Sequence, residues 1–203
     1  MPEPVVTPIA PGFRQAVILV ALLNLGYFGV EFAVARAIGS VSLLADSVDF
    51  LEDACINILI FVSAAWSLRR RATVGSVLAF VILIPAAATI WIAVVKILDP
   101  TPPEVVPLSL TALGALAVNL TCAALLVRHR HHNGSLARAA WLSARNDAMA
   151  NVAIIFVAVL TAVFQTGWLD IVLGVAIGLL NADAARAVWR AARAERASLQ
   201  PRA

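Results

Sequence analysis

Hydrophobic residues along this chain fall into six long runs, at about 15–38, 41–66, 73–97, 107–127, 138–164 and 168–189. Each is near the roughly 20 residues that a helix needs to cross the hydrocarbon core of a bilayer. The polar breaks between the runs are short and rich in turn-forming or basic residues: Gly39-Ser40, Leu68-Arg69-Arg70-Arg71, Asp99-Pro100-Thr101-Pro102-Pro103-Glu104, Arg128-His129-Arg130-His131-His132-Asn133-Gly134 and Gln165-Thr166-Gly167. The pattern predicts an all-α integral membrane protein of six transmembrane helices over 15–190. A tail over 1–14 and a short tail over 191–203 flank it, and no independent soluble domain is expected.

Composition agrees with the pattern. Apolar residues make up 62% of the 203 and charged residues 13%, and the mean hydropathy is +0.91, values that exclude an ordinary water-soluble domain. The net charge of +3 does not point to nucleic acid, because the arginines gather in the breaks and form neither a basic helix face nor an aromatic stacking platform. Their distribution instead sets an orientation. The second break, the fourth break and the tail bearing Arg186, Arg190, Arg193, Arg196 and Arg202 are basic, whereas the opposite side holds Arg36 and Lys96. By the positive-inside rule both termini are cytoplasmic. Met1 to Gly12 shows no cleaved signal peptide, and the Arg- and Ala-rich composition suggests a bacterial cytoplasmic (inner) membrane. Cys55 and Cys122 lie in separate apolar runs and predict no disulfide framework.

The polar residues inside the runs change the picture from an anchor to a device. Asp46, Asp49, Glu52 and Asp53 all lie in the second run; at roughly 2.5 to 3.5 kcal/mol per buried charge, four acids cost on the order of 10 kcal/mol before compensation. Asp46, Asp49 and Asp53 share one helix face, and stacked hard oxygen ligands suit a divalent cation. In the fifth run Ser143, Asp147 and Asn151 share a face from which Arg145 points away. Opposed to Asp49 and Asp53, that face supplies a third carboxylate and neutral oxygens for a first-row divalent ion. The plainer alternative is a salt-bridge network closed by Arg145. Asn24 and Glu31, seven apart in the first run, face the bundle interior either as structural polar contacts or as a proton relay. Asp170 and Asp183 read as cap or interface residues, and Asn119 and Cys122 as packing contacts. His129, His131 and His132 fit either a loop that captures metal for the pore or a plain solvated loop.

The stretch Gly39-Ser40-Val41-Ser42-Leu43-Leu44-Ala45-Asp46-Ser47, followed by Asp49 and Asp53, resembles the second-span signature of the cation diffusion facilitators, six-span exporters of divalent metals by proton antiport. Asn24 and Glu31 are similar to the Asn and Glu of that family's first span, the fifth-span segment through Asp147 and Asn151 to its His-x-x-x-Asp-x-x-x-Asn arrangement, and the loop histidines to its His-rich loop. The resemblance implies metal ligands at Asp49, Asp53 and Asp147, with Asp46, Glu31, Asn24, Asn151 and Arg145 in support. At the fourth ligand position Ser143 stands where the family usually has His, and an oxygen-dominated site shifts preference from zinc toward Mn²⁺, Fe²⁺ or Co²⁺. Many family members also carry a cytoplasmic domain that holds a dimer; without one, a homodimer would rest on the spans. Metal cations, protons and lipid are the implied partners, and the metal is cargo, so no resident cofactor is expected.

No covalent chemistry is called for. An intramembrane aspartyl protease would need Tyr-Asp and Gly-x-Gly-Asp contexts and a serine type a membrane His, none of which is present. A proton or monovalent-cation channel, and a non-transporting membrane protein that binds metal or a partner, are the remaining alternatives.

Overall fold

The structure, a computed structural model, describes residues 11–63, 68–127 and 134–180. All regular structure in it is helical: α1 (Pro11–Ile38), α2 (Val41–Ser63), α3 (Leu68–Leu98), α4 (Val105–Val127), α5 (Gly134–Phe164) and α6, described over Trp168–Leu180. Six apolar runs have become six helices. α3 begins earlier than its apolar run and takes in Arg69, Arg70 and Arg71, as does α5, which starts at Gly134. In α3 the helical backbone continues past the hydrophobic boundary because Arg is a good helix former.

By length and composition alone, α1, α4 and the part of α5 over Ala144–Phe164 suffice to cross a membrane, with shorter apolar helices over Ala87–Leu98 and Trp168–Leu180. α2 is long enough at 23 residues but carries four acids. It is held in the bundle by its surroundings rather than by its own hydropathy.

Four helices form a closed ring, α1 against α2, α2 against α5, α5 against α4 and α4 against α1, with α3 packed on α2. The two largest apolar clusters form layers toward its two ends. Phe13, Val17, Val20, Ile60, Cys122, Leu126 and Ala144 pack near the end where α1 begins. Ala35, Leu43, Leu44, Leu108, Ala112, Ile154, Ala158 and Ile177 pack near the end where α1 and α5 finish. Large apolar side chains on the outer faces, among them Trp91, Leu110, Phe156 and Leu179, are exposed. On a membrane protein these are the surface that lipid covers.

Close approaches fix the helices to one another. The Tyr27 hydroxyl of α1 donates to the Thr111 carbonyl of α4 at 2.6 Å and lies against Gly114, where a Cβ would collide with it. The Tyr27 ring packs against that of Phe50 of α2 at a tilt of 48°, with centroids 5.2 Å apart. Gly174 of α6 sits on the backbone of Val41 and Ser42, leaving no room for a Cβ. Small residues let membrane helices approach this closely.

The turn between α1 and α2 is built by sequence-local rules. Gly39 takes φ +65°, the left-handed conformation that glycine adopts at low cost. The Ser40 N–H then reaches back to the Ala35 carbonyl at 3.0 Å, the six-to-one bond that closes a helix C-terminus. Ser40 at once starts the next helix, its hydroxyl accepting from the Leu43 N–H at 3.1 Å as an N-cap does.

Candidate functional site

Two polar clusters lie within the helix bundle, and they differ in how their hydrogen bonds close. The first stands where α1 ends, α2 begins, α3 ends and α6 begins. Asp170 of α6, fully buried, accepts from the Val41 N–H at 2.8 Å, the Ser42 N–H at 3.2 Å, the Ser40 hydroxyl at 2.7 Å and the Ser42 hydroxyl at 2.6 Å. A carboxylate against the first N–H groups of α2 also meets the positive end of that helix dipole. Lys96 of α3, buried as well, approaches Asp170 at 3.7 Å and donates to the Gly39 carbonyl. Asp170 is thus a cap, as the sequence suggested, but it caps α2 from a helix about 130 residues away. Ser40, Ser42 and Lys96 were not expected to take part; the only signal was a lone Lys and a lone Asp at the ends of apolar runs, each too costly to stand in lipid unpaired.

The second cluster lies deeper in the ring. Asp53 of α2 is buried, and its carboxyl lies against that of Asp147 of α5. Asp49 is half-buried, within electrostatic reach of Asp147, Asp46, Glu52 and Asp53. Glu52 is buried beside Asp53 with its Oε2 unmatched. α2 and α5 therefore bring together the three carboxylates that the family resemblance implied as ligands. Asp46, one helix turn before Asp49, lies within electrostatic reach of Asp49 and Asp147. It is fully buried and lies beside Glu31 of α1 and Asn151 of α5. Asn151 donates to the Asp147 carbonyl at 2.8 Å.

The remaining sequence candidates scatter. Asn24 is fully buried and receives a contact from the Cys122 thiol at 3.6 Å, which makes it part of the α1–α4 packing. Arg145 is exposed, its guanidinium donating to Asn146 Oδ1 at 3.3 Å. Ser143 belongs to α5, but its side chain lies outside the described residues, as do His129, His131, His132 and Asp183.

Buried polar groups are normally satisfied, so exceptions call for an explanation. Both carboxyl oxygens of Glu31 and of Asp46, Glu52 Oε2 and Asn151 Oδ1 are buried with no hydrogen-bond donor among the described residues. Among those residues no three His, Cys, Asp or Glu side chains close into an arrangement that holds a metal ion. The acids are gathered and face one another, yet they are not drawn in around a common centre. Such a set can accept a cation or protons.

Residues 17–195 match the family model described as the cation efflux transmembrane domain. None of the curated proteins compared with the chain matches it.

Proposed function

Because the chain belongs to the cation efflux family, and is thus a membrane cation transporter, we propose that it exports a divalent metal cation through the carboxylates of Asp49, Asp53 and Asp147 in exchange for protons. One observation carries this reading: the Asp53 and Asp147 carboxyls, on two different helices, lie against each other inside the ring. Like charges in a poorly hydrated interior repel, so this arrangement is favourable only when a cation or a proton sits between them. Metal and protons then compete for the same oxygens. A rearrangement that switches the side from which the site is reached turns that competition into exchange.

The oxygen-only donor set favours hard first-row ions such as Mn²⁺, Fe²⁺ or Co²⁺ over a strong preference for Zn²⁺. With the arginine-rich ends cytoplasmic, the Asp170 cluster faces the far side of a bacterial inner membrane. The metal enters from the end where α1 begins and leaves past Asp170. The loop histidines, which fall outside the described residues, are read from the sequence pattern alone as capturing metal for the site.

The test is metal-dependent proton flux in proteoliposomes with Zn²⁺, Co²⁺, Fe²⁺ and Mn²⁺ in turn. Flux for at least one metal is expected, falling at least tenfold in Asp49→Ala and in Asp147→Ala while both variants stay folded by size-exclusion chromatography. Undiminished flux in either variant would remove these carboxylates from the pathway. Silence for every metal in folded wild-type protein would remove the transport reading itself.

A further inference from the structure

Glu31, Asp46 and Asn151 are each 0% exposed, and nothing in the exchange just described uses them. The Glu31 and Asp46 carboxyls adjoin each other, Asn151 adjoins Asp46, and all four carboxyl oxygens plus Asn151 Oδ1 find no donor among the described residues. Tyr27 lies within electrostatic reach of both acids, but its hydroxyl proton is already given to Thr111. Lys96 is the one buried basic side chain among the described residues, and Asp170 and Gly39 engage it.

Five unmatched oxygen acceptors with two formal negative charges form the hard donor set that a divalent cation takes. The burial of these acids would otherwise cost several kcal/mol each. Position supports the same reading. Asp46 precedes Asp49 by three residues on α2, and Asn151 follows Asp147 by four on the oppositely running α5. At about 1.5 Å per residue, both steps shift roughly 5 Å in the same direction, toward the end where Asp170 sits.

Resting on the proposed transport reading, we propose that Glu31, Asp46 and Asn151 form a second cation station, distinct from Asp49, Asp53 and Asp147, that receives the transported divalent ion on its way to the Asp170 end. Two carboxylates and one amide oxygen make it a site without His, Cys or a third acid. Above it Leu43, Leu44 and Ile154 belong to one apolar layer. The ion must therefore wait there until that layer parts.

The experiment counts metal bound per chain, using the full chain in detergent micelles, equilibrium dialysis against saturating Mn²⁺ or Co²⁺, and elemental analysis. Wild type is expected to hold two ions, the Glu31→Gln/Asp46→Asn double variant one, and the Asp53→Asn/Asp147→Asn double variant one. If the first double variant binds as many ions as wild type, the second station is overturned and the transport site stands. If the second double variant binds as many as wild type, the transport-site reading fails instead. Should Glu31→Gln/Asp46→Asn not fold by size-exclusion chromatography, Asn151→Leu replaces it. A tenfold or greater loss of affinity at one of two sites is then expected, and an unchanged binding isotherm overturns the proposal.

Discussion

Asp170 and the Glu31–Asp46 pair are carboxylates buried at 0% exposure in the same helix bundle, and they have opposite hydrogen-bond states. Asp170 accepts from two backbone N–H groups and two hydroxyls and has Lys96 at 3.7 Å. Glu31 and Asp46 accept from nothing among the described residues. Burial alone therefore does not tell a structural acid from a functional one. A carboxylate whose lone pairs are filled by the protein is finished and holds the fold, whereas one left open keeps its binding capacity for something that comes and goes.

Removing the filled acid separates the two regions most sharply. Asp170→Ala orphans the donors at the start of α2 and leaves Lys96 buried without its counter-charge, which should cost about 3 to 5 kcal/mol; a large drop in thermal unfolding temperature in detergent checks it. A smaller effect is expected from Ser40→Ala, which removes an N-cap worth about 1 kcal/mol together with one hydroxyl donor to Asp170, measured the same way. The smallest is expected from the open acid. Asp46→Asn takes away a charge that no donor in the metal-free protein satisfies, so thermal stability without metal should not fall. Stabilisation by added Mn²⁺, a mass-action effect of binding to the folded state, should shrink. A metal-free loss as large as that of Asp170→Ala would erase the distinction between the two acids.

Much of this was legible along the chain, and the reason is geometric. Helix periodicity sets which residues of one helix share a face, so Asp46 with Asp49 and Asp53, and Asp147 with Asn151, could be grouped from spacing. The short break at Gly39-Ser40 announced a turn, and it is one, with glycine at positive φ. Periodicity does not say which faces of different helices meet. Nothing in the spacing pairs Asp170 with Ser40 and Ser42 across some 130 residues, or Lys96 with Gly39. Gly174 gave no sign that it would rest on the backbone of Val41 and Ser42. The acids of α2 were expected to form one group, and the structure brings Asp46 beside Glu31 and Asn151 while Asp53 meets Asp147. That division depends on where α1 and α5 lie around α2, which no single helix encodes.

The two-residue junction of Gly39 and Ser40 also bears on how the protein reaches its membrane. α2 with its four acids is a poor substrate for insertion on its own, since each acid costs roughly 2.5 to 3.5 kcal/mol at the helix centre. α1, which meets the length and composition of a spanning helix, leaves the ribosome just before it and is joined by a turn too short to let the two separate. The hairpin is thus the smallest unit that can leave the translocation channel, with α1 supplying the hydrophobicity that α2 lacks. Lengthening that turn would be felt first in biogenesis, as α2 slipping back to the aqueous side, before any step of transport.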